Sequence, residues 1–237
     1  MWILTLNYME HTTADWGELL TEEEFAELTE HGHRVSYPAG TVVIRQGEVS
    51  DFVLYLLKGH TKAVLQPNSE TVEFHGPGQL VGEFSSLTGT PRSADVHAVT
   101  GVEALLVPGQ VWRDFIATHA RAACAHYSAL AGRLLEQDSA SGLSYTSSEH
   151  RVAKAVLKLI EAGLGVAADD GIAIRGFNQR EIASIAKVSR ESAAAVLRQL
   201  REARVVSTAR ALVTVHDLAA LERFADRDKV PHQRKER

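Results

Sequence analysis

Gly82-Glu83-Phe84-Ser85-Ser86-Leu87-Thr88-Gly89-Thr90-Pro91-Arg92-Ser93-Ala94 lies between short β-forming runs, and the organisation of the whole chain follows from how it is read. A phosphodiester anion needs a fixed fork of donors in a sheltered place; Arg92 supplies a planar guanidinium, and Ser93 a hydroxyl and a backbone amide. Glu83, nine residues before Arg92, is placed to accept from a ribose hydroxyl. Gly82 lets the backbone come close to a ligand, and Gly89 and Pro91 shape the connection. The stretch reads as a pocket for the phosphate and ribose of one small nucleotide. On these residues alone, a Glu83–Arg92 ion pair that closes a loop around nothing is the competing reading.

Outward from this cassette the pattern is β. The runs Thr41–Ile44, Phe52–Leu57, Thr61–Leu65, Thr71–Phe74, Val96–Val99 and Glu103–Val107 are separated by Gly40, Gly47, Gly59, Gly76, Gly78 and Gly101. Many short strands at near-regular spacing predict a small antiparallel barrel or jelly roll. Ahead of it, Thr21 with Glu24 three residues on forms a capping-box signature for a helix to about Glu30.

After Pro108 the period turns helical as far as about Ser139. Ile116, Ala120, Ala123, Tyr127, Leu130 and Leu134 recur in steps of four and three, the apolar seam of a coiled coil, which predicts a homodimer. Ser139-Ala140-Ser141-Gly142 weakens the helix and suggests a hinge, and Ser147 or Ser148 caps the next helix, buried through Val152, Val156, Leu157, Leu159 and Ile160. Gln179 to Ala186 then gives a short helix, Lys187 and Val188 a turn, and Ser189 the cap of a second helix to about Ala203. Its inner face is Ala193, Val196, Leu197 and Leu200. The outer N-terminal face carries Arg190, Glu191 and Ala194, which suits a helix entering the major groove of double-stranded DNA. Arg190 can bond guanine and Glu191 can accept from cytosine. Gln179, Arg180, Ser189, Arg198 and Arg210 complete the candidate DNA-facing set, with Arg201 and Arg204 as further phosphate or solvent cations. Val205–Ser207 and Leu212–Val215 suggest a β-hairpin wing.

Charge divides the chain at the same place. Residues 1–149 hold 8 Lys and Arg against 19 Asp and Glu, whereas residues 150–237 hold 17 against 11, so a net −11 precedes a net +6 and the total is −5. The basic part suits a polyanion, and nucleic acid is favoured over membrane because its helices lack a broad apolar face. Cys124 is alone, which rules out a disulfide framework, a zinc quartet or a four-cysteine iron–sulfur cluster within one chain, and the eleven histidines are scattered; no metal is expected. Trp2-Ile3-Leu4-Thr5-Leu6 is too short and too soon interrupted for a signal peptide or a span, so a cytoplasmic protein is expected. No catalytic triad, Walker loop or Cys/His pairing stands in a supporting context, and an enzyme is not expected.

The combination of Gly82-Glu83, Arg92-Ser93, a long helix and a helix-turn-helix resembles the cyclic-AMP receptor protein and fumarate–nitrate regulator (Crp/Fnr) family of bacterial transcription regulators, over about residues 20–225. The resemblance implies an α+β chain: an N-terminal extension (1–20), a cyclic-nucleotide-binding β-roll (21–108), a central dimerisation helix and hinge (109–145), a winged helix-turn-helix (146–225) and a charged tail (226–237) expected to be disordered. It also implies a homodimer on a palindromic operator, with RNA polymerase as a further partner. The matching Glu83 takes the ribose hydroxyl, and Arg92 and Ser93 hold the cyclic phosphate, with Gly82 and Phe84 beside them. The base-sensing positions fall near Gln137 and Asp138, where Asp138, an acceptor, suits an adenine amino group or a guanine edge, or faces solvent; cyclic AMP and cyclic GMP both stay open. Two residues depart from the pattern. Lys187 stands where relatives have a turn glycine, which implies local strain, and Ala195 stands where readers of the TGTGA half-site carry an arginine. A barrel that binds no nucleotide and serves as scaffold or docking site is the alternative, and a nucleotide-dependent subunit that never touches DNA fits the basic C-terminal part poorly.

Overall fold

The structure is a computed structural model and describes residues 18–67, 70–142 and 146–226. Thr21 begins helix α1 (Glu22–His31) with the reciprocal cap its sequence signals: its hydroxyl accepts from Glu24 N at 3.3 Å, and the Glu24 carboxylate accepts from Thr21 N at 2.8 Å. The β-roll follows as β1 (His33–Tyr37), β2 (Val42–Ile44), β3 (Phe52–Lys58), β4 (Thr61–Leu65), β5 (Glu70–His75), β6 (Leu80–Val81), α2 (Glu83–Thr88), β7 (Asp95–Ala98) and β8 (Val102–Pro108). It is built of two antiparallel sheets, ordered β1-β8-β3-β6 and β2-β7-β4-β5. Ile44, Leu54, Leu56, Val81, Val96, Ala98, Val102 and Ala104 fill the roll. β1 and the short helix α2 inside the cassette were not anticipated from the sequence.

The single long helix expected after Pro108 is two helices. α3 (Gly109–Thr118) ends at His119, whose φ of −109° and ψ of 82° leave the helical region, and α4 (Ala120–Gly142) starts anew. Thr118 Oγ1 donates to the Asp114 and Phe115 carbonyls, and the His119 ring stacks on Phe115 at 4.1 Å, so the break is locked by its own side chains. Trp112 and Phe115 anchor α3 in the roll. Ile116 packs there as well and leaves the proposed seam, which now starts at Ala120. Helix α4 runs unbroken through Ser139–Gly142, so the hinge expected there is not a break in the helix.

The C-terminal part is α5 (Ser148–Leu159), a π turn (Ile160–Leu164), the hairpin β9 (Gly165–Ala168) and β10 (Gly171–Arg175), α6 (Gln179–Ile185), α7 (Arg190–Glu202), β11 (Val206–Ala209), β12 (Leu212–Val215) and α8 (Leu218–Asp226). Ser147, not Ser148, caps α5. The four strands form one sheet, β11-β12-β10-β9, and the sequence had shown only its β11–β12 half. Its core unites Val152, Val156 and Leu159 of α5 with Ala193, Val196, Leu197 and Leu200 of α7, the inner face read from their spacing. The charged tail from residue 227 on lies outside the described residues. Among the described residues, no helix is long and apolar enough to cross a membrane.

Candidate functional site

The cassette strand-turn closes over a cavity of about 440 Å³. Ile44, Ala63, Leu65, Val81 and Val96 give it an apolar floor; Gly82, Glu83, Phe84, Arg92 and Ser93, five of the expected residues, line one end, and Leu130 and Leu134 of α4 belong to its wall. Gly82 has φ +85°, and a Cβ added there would stand 2.6 Å from Arg92 Nη1, so only glycine fits. Phe84 borders the cavity but is 58% exposed, placing it at the rim.

Arg92 is 3% exposed and fully oriented. Nε donates to Ser50 Oγ at 2.9 Å, Nη1 to the Gly82 carbonyl at 2.7 Å and Nη2 to the Phe52 carbonyl at 2.8 Å, with the guanidinium carbon 4.5 Å from the Phe52 ring centroid. All three acceptors are neutral. Burial draws the guanidinium pKa below its ordinary value, against the pull of Asp51, Glu48 and Glu83, yet an arginine stays cationic at neutral pH. A guanidinium has five N–H bonds, so one on each terminal nitrogen remains for a ligand. The loop-closing ion pair with Glu83 is not how Arg92 is held: a buried cation without a hydrogen-bonded carboxylate is a place for an anion. A larger cleft of about 570 Å³, between Glu18–Phe25 and Tyr55–Leu57, has two carboxylates and no cation among the described residues of its wall, which does not suit the same ligand.

Two lining residues escaped the sequence reading. Glu73 and His75 alternate on β5 and both face the cavity, with His75 Nε2 3.4 Å from Glu73 Oε2. The signal was available, since residues two apart on a strand share a face. The side chains of Gln137 and Asp138 lie outside the described residues, so the base-sensing expectation stays where the sequence left it.

At the reader, Asn178 caps α6: its Oδ1 accepts from Arg180 N at 2.9 Å and Glu181 N at 3.1 Å, while Glu181 returns Oε2 to Asn178 N at 2.8 Å. Gln179, Arg180, Arg190, Glu191, Arg198 and Arg210 are exposed, and Ala194 and Ala195 are half-buried. The Ser189 hydroxyl is engaged at home, accepting from Ser192 N at 3.1 Å, so its part is to start α7. Arg201 Nη1 donates to Thr208 Oγ1 at 2.9 Å and ties α7 to the wing, which removes it from the free cations. Lys187 does take φ +52° in the turn, and Arg151, unmarked in the sequence, donates to its carbonyl at 2.9 Å. Among the described residues no group of three or more His, Cys, Asp or Glu is placed to hold a metal ion.

Comparison with known proteins agrees with this division. The family model for the cyclic nucleotide-binding domain matches residues 34–119, and that for the Crp-like helix-turn-helix domain matches residues 150–224. The Cyclic AMP receptor protein of Thermus thermophilus is 32% identical over 213 residues, 87% of this chain and 94% of that relative. Among solved structures, a CRP-family transcriptional regulator of the same organism is 25% identical with a TM-score of 0.66, over 81% of this chain and 96% of that one. A c-di-GMP-responsive global regulator of Xanthomonas campestris, 20% identical, shares the fold with a TM-score of 0.68 over 83% of this chain and 99% of that one.

Proposed function

Since the chain belongs to the Crp/Fnr family of transcription regulators, which are not enzymes, we propose that it is a homodimer whose affinity for a palindromic DNA site is set by a cyclic nucleotide, cyclic AMP or cyclic GMP, held in the β-roll. The carrying observation is Arg92, buried at the cavity wall and hydrogen-bonded to three neutral acceptors rather than to a carboxylate. In this reading Arg92 and Ser93 hold the cyclic phosphate, Glu83 the ribose hydroxyl, and Gly82 and Phe84 border the ligand. Dimerisation is supported by Tyr127 and Leu134 of α4, each 64% exposed although apolar, on the stripe read as a seam. The proposed DNA contacts are Gln179, Arg180, Arg190, Glu191, Ala194, Ala195, Arg198 and Arg210, with Ser189 shaping the helix that presents them. Action in the cytoplasm, and contact with RNA polymerase, are part of the same proposal and rest on the family alone.

Titration calorimetry with cyclic AMP and with cyclic GMP tests it, beside DNA binding in the same preparation. The expected result is saturable heat with at least one nucleotide, lost in Arg92→Gln, with a changed affinity for DNA. Silence with both nucleotides in a dimer that still binds DNA rejects the sensing half. That outcome would favour a second reading, for which the three hydrogen bonds of Arg92 also speak: a roll that serves only as scaffold.

A further inference from the structure

One sheet of the β-roll has different neighbours on its two faces. On β4, Ala63 and Leu65 line the cavity while Lys62, the neighbour of Ala63 on the opposite face, reaches the reader. On β5, Glu73 and His75 line the cavity while Phe74 between them packs on the reader's core and lies 5.7 Å beneath the Lys158 ammonium of α5. After β7, whose Val96 lines the cavity, Val99 packs on the same core, against Gly176. The two-residue alternation of a pleated strand makes this sheet a single wall between ligand cavity and DNA reader.

The join is tightest at Lys62. Its ammonium donates to the Gly176 carbonyl at 2.6 Å and to Glu181 Oε1, and lies 5.1 Å from the Phe177 ring centroid. The side chains of the pair are 13% and 8% exposed. Glu181 Oε2 meanwhile closes the cap that starts α6, so one carboxylate serves both the clasp and the first reader helix. A buried charge stripped of its partner is strongly unfavourable, so the pair is made or broken as a unit. Gln179, Arg180, Arg190 and Glu191 stay exposed with the clasp made; it orients the reading face without covering it.

We propose that Lys62 and Glu181 are positioning residues of the DNA reader, a clasp through which occupancy of the cavity is transmitted across one sheet, inside one protomer, to the orientation of α6 and α7. A ligand that moves Ala63 or His75 moves Lys62 and Phe74, because they share a backbone. The transmission rests on the proposed nucleotide-regulated function; the clasp itself does not.

The test is a double-mutant cycle in the full-length protein with Lys62→Met, Glu181→Gln and both together, the glutamine keeping an oxygen for Asn178 N. Amide hydrogen exchange across residues 178–186, without nucleotide, reports docking: each single change speeds it about tenfold, and the double change is milder than their product. Unchanged exchange, or strictly multiplicative effects, overturns the clasp. The second readout is the ratio of DNA affinities with and without cyclic AMP, and with and without cyclic GMP. Lys62→Met is expected to bring that ratio to within about twofold of one while nucleotide affinity is retained. A wild-type ratio preserved in Lys62→Met overturns transmission through the sheet. If the wild type itself responds to neither nucleotide, the regulatory reading fails and transmission falls with it, while the exchange cycle still decides the clasp.

Discussion

Gly82 carries two constraints at once, a φ of +85° and a Cβ site 2.6 Å from Arg92 Nη1. Gly82→Ala is expected to cost about 1–3 kcal/mol of stability in urea unfolding, and to abolish nucleotide heat in calorimetry because the guanidinium is pushed off its carbonyl. At Lys187, with φ +52°, the reverse change helps: Lys187→Gly removes about 1 kcal/mol of backbone strain and should raise the unfolding midpoint, with the bond from Arg151 kept because it ends on the backbone. The strain at Lys187 was signalled by the family resemblance, which puts a glycine at that turn position. Arg151, thirty-six residues away, was not; a contact that only the fold brings together leaves no local trace. Arg92 shows the same limit, because its residue type pointed to an anion whereas its neutral partners Ser50, Phe52 and Gly82 come from two stretches, at sequence separations of 42, 40 and 10 residues.

At the scale of elements, periodicity was a good guide to what is buried and a poor one to where backbone breaks. The apolar steps pass through His119 without a fault, yet the helix ends there, and Ile116 goes to the roll. The hairpin β9–β10 was invisible because its Gly- and Ala-rich residues have little strand preference; pairing to β12 makes them strands. By contrast, α7 kept the cap, length and inner face that its spacing implied. Tyr127→Asp, placed on the exposed stripe of α4, is expected to weaken self-association about tenfold or more in sedimentation equilibrium without lowering monomer stability, and to weaken DNA binding in parallel. Arg190→Ala, at the exposed start of α7, should remove about 1–3 kcal/mol of discrimination at a single base pair when sites substituted position by position are compared.

Over the whole molecule, the acidic β-roll and the basic helix-turn-helix part meet at a joint that has a histidine beside it. His97 lies beside it, 3.9 Å from Asp95 and facing Lys62, Glu181 and Arg45; burial, then the Lys62 charge, lowers its pKa below 6.5. In the window below about 6.5 the unfolded chain takes up a proton that the folded chain refuses, so this contribution is complete above that pH and stability is lost as pH falls. Melting temperatures from pH 8 to 5 should therefore fall less steeply for His97→Gln than for the wild type; equal slopes would dismiss the effect. The chain of 23 residues in α4 makes a rod of roughly 34 Å. Pivoted at His119, a tilt of about 10° carries its far tip through roughly 6 Å, nearly two base-pair rises of about 3.4 Å. A rod of this length enlarges a small change of angle at its start to the scale of a base-pair rise, so the side-chain lock at His119, between α3 and α4, governs where the far end of α4 stands.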